Sequence, residues 1–472
     1  MVRLREEVQA VDCSDLEANY TGMGRAPYHP RLMIGLIVYG TLKRKSTLRE
    51  LEELAVADVG AWWICAGEQP DHSTIGNFLV RHQQEISREF FLRLVHDLVG
   101  RKGITNGVVA GDATVVEAVA SRFSMLSQEA AEQAAAEAKQ AAEQHPNEQE
   151  VVQAAQHAEE IATVARQRAT QPQRQGKKKS AWVVAPLEPQ AVMQRCKDGR
   201  QRPSYKPSVL VHECGLIVSQ GVETSCESAA VPDLLTQYEA ALGAAPRTLL
   251  LDAGYHGIEL LAQLAAREID VLCPSGNPFG ERWKRQGKRG KFGKTDFVYD
   301  AATDRYRCPA GQWLVPAGTY YEPRKGWAAR KYRTSQCGAC ELRARCTQSQ
   351  QGRALERYEG EEVKEAMEEV MAQPGAKRRY RRRKAIVERI FAELIRRQAL
   401  QRFRRRGRLG SALEFSLHCI AFNLKWALGA SPFRRVFAFA RYLRRRWCLR
   451  LMWARSRIIS RPDADSPRLL AA

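Results

Sequence analysis

Gly107-Val108-Val109-Ala110-Gly111-Asp112-Ala113-Thr114 is a short apolar run that ends on an acid, and Thr248-Leu249-Leu250-Leu251-Asp252-Ala253-Gly254-Tyr255 repeats that build. Short apolar runs bounded by turn formers read as buried strands. A carboxylate at such a strand end escapes the buried sheet and stays rigidly placed. A third acid, Glu388, lies in a basic, helix-like stretch, Tyr380-Arg-Arg-Arg-Lys-Ala-Ile-Val-Glu388-Arg-Ile-Phe-Ala-Glu-Leu-Ile. Two strands and one helix can converge three oxygen ligands on hard divalent cations. Ions so held can clamp both the attacking and the leaving oxygen of a phosphodiester. Taken singly, an acid closing an apolar strand is most often a turn or cap residue; the joint pattern carries the reading.

Around these acids the chain alternates strand and helix patterns. Pro207-Ser-Val-Leu-Val-His-Glu-Cys-Gly-Leu-Ile-Val-Ser-Gln220 reads as a hairpin turning at Glu213-Cys214-Gly215. Ile269-Asp-Val-Leu-Cys273 supplies another strand, after an amphipathic helix from Ile258 to Glu268. The sum is a mixed α/β sheet. Upstream, Pro30 to Tyr39 is an apolar run begun by proline at a first helical position. Ser46 or Thr47 is suited to cap a second helix, and Asp71-His72-Ser-Thr-Ile opens a third. Short helices in this arrangement present either a recognition helix to a DNA groove or a packing and dimerisation face. His72 reads as a capping or core histidine.

Gln128 to Arg174 is rich in Ala, Glu and Gln, interrupted at Pro146, and reads as an antiparallel helical hairpin or a long arm for protein–protein contact. Gly176-Lys-Lys-Lys-Ser180 follows as a basic loop.

The formal net charge of +21 favours a polyanionic partner. Between Lys377 and Arg457 about two dozen Lys and Arg face three acids, Glu388, Glu393 and Glu414. Val387, Ile390, Phe391 and Leu394 recur at helical spacing as a buried stripe, with Glu388 beside it. Ser411 to Trp426 reads as an apolar closing helix, and the tail mixes Arg with Phe, Trp and Leu. No apolar run is long enough to span a membrane. The start, Met1-Val-Arg-Leu-Arg-Glu-Glu, lacks the apolar core of a secretion signal, so the cytoplasm is expected.

Of twelve cysteines, most are isolated and suit small buried hydrophobes. Cys308, Cys337, Cys340 and Cys346 cluster, with a Cys-x-x-Cys knuckle between Cys337 and Cys340, and suit a tetrahedral structural Zn2+ site. The alternative is reduced, unpaired thiols. The same insertion carries Trp283, Lys284, Arg285, Lys288, Arg289, Trp327 and Tyr332, a set able to grip DNA.

These motifs resemble those of the DDE transposases of bacterial insertion sequences. Gly111-Asp112-Ala113-Thr114 with Glu117-Ala118 is similar to the family's first-Asp strand, and Leu251-Asp252-Ala253-Gly254-Tyr255-His256-Gly257 to its second. Tyr380, Arg383 and Glu388 resemble the Tyr–Arg–Glu signature. Tyr28-His29-Pro30-Arg31 and Pro70-Asp71-His72-Ser73-Thr74-Ile75 resemble its helical N-terminal region. The likeness runs from about Glu17 to about Leu428. Three departures stand out. The Arg383–Glu388 gap is one residue longer than the pattern unless Lys384 is the basic partner, Val115 replaces a basic residue, and Glu393 is a rival third acid.

The resemblance implies an RNase H-like catalytic domain built from 106–122, 181–275 and 377–430. It follows a helical DNA-binding or dimerisation domain at 1–105 and is interrupted by a helical insertion at 123–180 and a cysteine-containing insertion at 276–376, with a basic tail at 431–472. It implies cleavage of transposon ends and joining of 3′-hydroxyls to target DNA, with Asp112, Asp252 and Glu388 holding Mg2+ or Mn2+. Lys206, Tyr380, Arg383, Lys384, Arg396 and Arg397 are the expected DNA contacts. The expected partners are double-stranded DNA, as terminal inverted repeats and target, and further copies of the chain, as a homodimer or larger. The alternatives are a metal-dependent nuclease of the same fold, or a non-catalytic zinc-stabilised DNA-binding protein.

Overall fold

The computed structural model describes residues 2–18, 20, 27–170, 183–276, 292–322 and 327–429. The basic loop at Gly176–Ser180, the residues Trp283 to Arg289 and the tail at 431–472 lie outside the described residues. The head is helical, with Val2–Ala10, Ser14–Ala18, Pro30–Lys43, Leu48–Ala57, Val59–Ile64, His72–Arg81 and Phe91–Lys102 as its main helices. Pro30 occupies the first turn, where its missing N–H is not needed. Thr47 caps the Leu48–Ala57 helix, and Glu50 returns a bond to the Thr47 N–H. Asp71 caps the His72–Arg81 helix, while His72 itself pairs with Glu52 at 2.8 Å.

The central sheet contains β1 (Val108–Ala113), β2 (Val116–Glu117), β3 (Val192–Arg195), β4 (Gln201–His212), β5 (Ile217–Glu223), β6 (Thr248–Leu250) and β7 (Asp270–Leu272). β4 and β5 form the expected hairpin, antiparallel, with Gly215 in the left-handed region at its turn. β4 also pairs antiparallel with β1, and β1, β6 and β7 run parallel. The sheet is therefore mixed, as the sequence predicts. The closing helix runs Gly407–Ala427, longer than expected. Its Asn423 side chain accepts from the Ile217 N–H at 3.0 Å and donates to the Ile217 carbonyl at 2.8 Å, tying helix to β5. One hydrophobic core joins head and sheet, from Ile34 and Phe91 through Val109 and Leu250 to Val387 and Phe415.

Gln128–Gln144 and Gln149–Thr170 form the expected helical pair, with a small core of Ala131, Ile161, Ala165 and Val184. Arg168 docks it, donating from a buried guanidinium to the carbonyls of Val183, Pro189 and Ala191. A second, antiparallel sheet holds β8 (Val298–Asp300), β9 (Arg305–Arg307), β10 (Trp313–Glu322), β11 (Trp327–Arg333) and β12 (Ala354–Tyr358). Its core is Phe297, Tyr306, Leu314, Tyr332 and Leu355. Tyr332, expected on a DNA-gripping surface, is instead buried there and donates its hydroxyl to Asp304 at 2.6 Å. No helix among the described residues is long and apolar enough to cross a membrane.

Candidate active site

Strand register brings the first two acids together. β1 and β6 pair in parallel with Ala110 opposite Leu250, so Asp112 and Asp252 each stand two residues past a matched pair. Neighbouring strands lie about 4.8 Å apart, and residues in register share a face. Gly111 gives room at this approach: a Cβ there would lie 2.6 Å from Leu251 Cδ2 and force that side chain to shift. Asp112 is the penultimate residue of β1, while Asp252 sits just beyond β6 and opens a 3-10 turn at Ala253–Tyr255. The Gly254 N–H donates to Asp252 Oδ1 at 2.8 Å, and the Ala113 N–H to Asp112 Oδ1 at 2.9 Å.

One guanidinium bridges the pair. Arg383 Nη2 lies 3.0 Å from Asp112 Oδ1 and 3.5 Å from Asp252 Oδ2. The same group donates to the Gly111 carbonyl from Nε and Nη2, at 3.3 and 3.1 Å. Its side chain is 12% exposed, held in place by the Arg382–Ala392 helix, whose Ile386, Val387, Ile390 and Phe391 are buried. Burial pushes the Asp112 carboxyl up from its ordinary range, the Arg383 charge pulls it down, and the nearby Asp252 and Glu227 charges push it up again.

Glu227 is the residue that sequence reasoning missed. It precedes the helix Val231–Leu242, reached through a 3-10 turn at Ser228–Ala230, and its side chain makes no capping bond there. Oε2 pairs with Lys206 Nζ at 2.7 Å. Oε1 lies 2.0 Å from where a Cβ on Gly254 would be, so any larger residue there would displace the Glu227 side chain. Buried Tyr255 has its phenol pushed up, by burial first and then by Glu227, Asp112 and Asp252 around it.

Glu388 is not joined to these groups. It is 54% exposed, and its ion-pair partner among the described residues is Lys384, one turn away at 3.9 Å. The rival Glu393 is buried, in a π-helical turn at Glu393–Arg397, and pairs with Lys425 of the closing helix and with Arg397 at 3.4 Å. Of the expected DNA contacts, Lys384, Arg396 and Arg397 face solvent and Tyr380 is half-buried. Lys206 and Arg383 instead turn inward onto carboxylates. The reason is electrostatic: clustered acids in a partly desolvated pocket draw the nearest cations.

Among the described residues no group of three or more His, Cys, Asp or Glu is set as a ready-made metal site. The four clustered cysteines nevertheless line one small cavity with Phe297 and Leu314. The Gln312 N–H donates to Cys308 Sγ at 3.3 Å, and the Arg353 N–H to Cys337 Sγ at 3.4 Å. Burial pushes the Cys346 thiol up, Arg353 opposes this, and the sulfurs of Cys337, Cys308 and Cys340 add to the rise. Of the isolated cysteines, Cys13, Cys65, Cys273 and Cys419 are buried as expected, whereas Cys214 and Cys226 are exposed and Cys196 is partly so.

Two family profiles match the chain. One, described as a transposase domain (DUF772), covers residues 2–81 of the head. The other, described as a transposase DDE domain, covers residues 307–427, from β9 through the Glu388 helix to the closing helix. Asp112 and Asp252 lie between the two matched stretches. No curated protein matches the chain. A transposase domain matched at the head and a transposase DDE domain matched across the Arg382–Ala392 helix together indicate an insertion-sequence DDE transposase.

Proposed function

We propose that this transposase cuts the ends of its element and joins the 3′-hydroxyls to target DNA at the pocket around Asp112 and Asp252, with Glu388 as the third acid. The observation that carries the reading is the parallel register of β1 and β6, which sets two carboxylates side by side under one guanidinium. The sheet order, with an antiparallel β5-β4-β1 half and a parallel β1-β6-β7 half, supports an RNase H-like core. The donor set is oxygen only, which suits Mg2+ or Mn2+. Such ions, when bound, activate the attacking hydroxyl and stabilise the leaving oxygen. Asp112 and Asp252 would hold them from rigid strand ends. Glu388, exposed and only loosely paired, is free to approach when DNA and ions neutralise its surroundings. The burial of Glu393 against Lys425 supports Glu388 over its rival.

The exposed Lys384, Arg396 and Arg397 fit contacts to phosphates beside the pocket. The spacing of Cys308, Cys337, Cys340 and Cys346, which line one cavity with two of them accepting backbone N–H groups, supports a structural Zn2+ reading for which the four thiols would still have to draw together. Paired ends and target DNA imply a homodimer or larger assembly, acting in the cytoplasm.

The test is a cleavage and joining assay on labelled DNA carrying the inverted repeats that flank the gene. Mg2+-dependent nicking at the repeat boundary, followed by joined products, is the expected result. Asp112→Asn, Asp252→Asn and Glu388→Gln should each lower cutting by more than about 100-fold, beyond the effect of outer-shell changes, while leaving DNA binding nearly intact. A variant that cuts at the wild-type rate removes its residue from the site. Cutting without joining would make the protein a nuclease of the same fold, and binding without either step would end the catalytic reading.

A further inference from the structure

One face of the second sheet is packed, and the other is turned outward. Register sets Tyr299 opposite Tyr306 and Tyr332 opposite Leu355, and these pack with Phe297 and Leu314. Side chains alternate along a strand, so the residues between them share the outer face. There Val298, Arg307 and Trp313 stand in one row across β8, β9 and β10. Val315, the next outward residue of β10, stands opposite Arg333 of β11. Arg305 and Lys331 follow on the same face of β9 and β11. Trp313 is 43% exposed, and Val298, Val315, Arg305 and Arg307 are exposed with it.

The charge of this face is one-sided. Its cations are Arg305, Arg307, Lys331 and Arg333, and the acids in register with them are Asp300 and Glu356. Asp300 is engaged by its own turn, accepting from the Ala302 N–H at 3.1 Å and the Thr303 hydroxyl at 2.6 Å. Glu356 accepts the Tyr358 hydroxyl at 3.1 Å. Arg307 and Lys331 have no ion-pair partner among the described residues, and Arg333 donates to the Gln351 side-chain oxygen at 3.4 Å. Uncompensated cations on a strand face fit a polyanion. Trp313 decides which kind. In a duplex the flat faces of the bases are covered by their neighbours, so an indole on a sheet has nothing to stack on. An unpaired strand offers base faces and phosphates together, and aromatic residues among cations are how such strands are held.

We propose that the outer face of β8 to β11 binds an unpaired DNA strand, with a base stacked on Trp313 and phosphates on Arg305, Arg307 and Arg333. This goes beyond the contacts beside the cutting pocket and rests only on the reading that the chain acts on DNA. A strand freed by cutting at the element's end is DNA of the required form.

The experiment is fluorescence anisotropy of a labelled oligothymidine and of a labelled duplex, each titrated with full-length protein without Mg2+ at several salt concentrations. It compares wild type, Trp313→Ala, Trp313→Phe and the double variant Arg307→Gln with Arg333→Gln, all checked for folding by thermal melting. Trp313→Ala should weaken oligothymidine binding by roughly 10-fold, as expected for the loss of one stacked base. Trp313→Phe should recover most of that loss. The double variant should lower the salt dependence of log affinity by about 1.4, since each phosphate contact to a single strand contributes about 0.7. Duplex affinity should stay at the wild-type value throughout. Wild-type oligothymidine affinity in a folded Trp313→Ala protein overturns the proposal. Equal losses on oligothymidine and duplex overturn it too and make the face a duplex contact. Should Trp313→Ala fail to fold, the salt dependence of the double variant decides. A wild-type protein that binds duplex but not oligothymidine also overturns the proposal, whereas one that binds neither removes the DNA reading itself, a distinct failure.

Discussion

Arg383 concentrates the chemistry of the pocket in one side chain. It neutralises two carboxylates and satisfies the Gly111 carbonyl while nearly buried. Replacing it by Met leaves those acids uncompensated, and breaking a buried pair in this way costs about 3 kcal/mol. The Arg383→Met protein should therefore melt well below wild type, and divalent ions at millimolar concentration should recover part of the loss by taking the vacated charge position. A melt unaffected by ions would show that Arg383 serves packing alone. At this scale the sequence was legible where an acid closed an apolar run, as at Asp112 and Asp252. It was silent at Glu227, because Thr224-Ser225-Cys226-Glu227-Ser228 is a polar connector without periodicity. Its significance arises only when Gly254 and Lys206 meet it in three dimensions.

The Arg382–Ala392 helix shows what periodicity can and cannot deliver. The stripe of Val387, Ile390, Phe391 and Leu394 is buried as its spacing requires. The fate of the neighbouring acids depended on a π-helical turn, which turns Glu393 towards Lys425 and is invisible in a 3.6-residue pattern. Glu393→Gln should lower stability by about 1–3 kcal/mol through the unpaired lysine, with cutting per folded molecule unchanged. A chemical-denaturation curve and an active-site-normalised rate separate the two effects. The closing helix carries a second such group. His418 is fully enclosed, bonds Gln398 at 2.8 Å, and is pushed down from 6.5 to about 3, by burial first and by Arg404 as well. The unfolded chain then binds the extra proton between these values, so this contribution to stability is complete above pH 6.5 and is lost as the pH falls towards 3. His418→Gln should flatten the pH dependence of unfolding in that window; an unchanged slope would assign acid sensitivity elsewhere.

Across the whole molecule, the second sheet was the least legible part. Its strands alternate Arg, Lys and Tyr with few aliphatic residues, so β8 to β12 read as a basic insertion, and the aromatic core around Tyr306 and Tyr332 was hidden in that pattern. The cysteines beside it cluster by spacing and line one cavity, without forming a ready-made metal site among the described residues. If they bind zinc, purified protein should carry one Zn2+ per chain by elemental analysis, and Cys337→Ser with Cys340→Ser should release it. Loss of the metal should expose backbone amides of β9 to β12 to hydrogen exchange while β1, β4 and β6 stay protected. Metal-free wild-type protein with full protection would leave the thiols unpaired and reduced.

The shared core of head and sheet has a mechanical corollary. Leu36 and Leu94 of the head belong to the same packed interior as Leu250 and Leu413. A duplex seized by the head would be presented to the Asp112–Asp252 edge at a span set by side-chain packing, as between the jaws of a caliper. On the proposed reading, the distance from a bound repeat to its cut would be a dimension of the protein, adjustable only by repacking its interior.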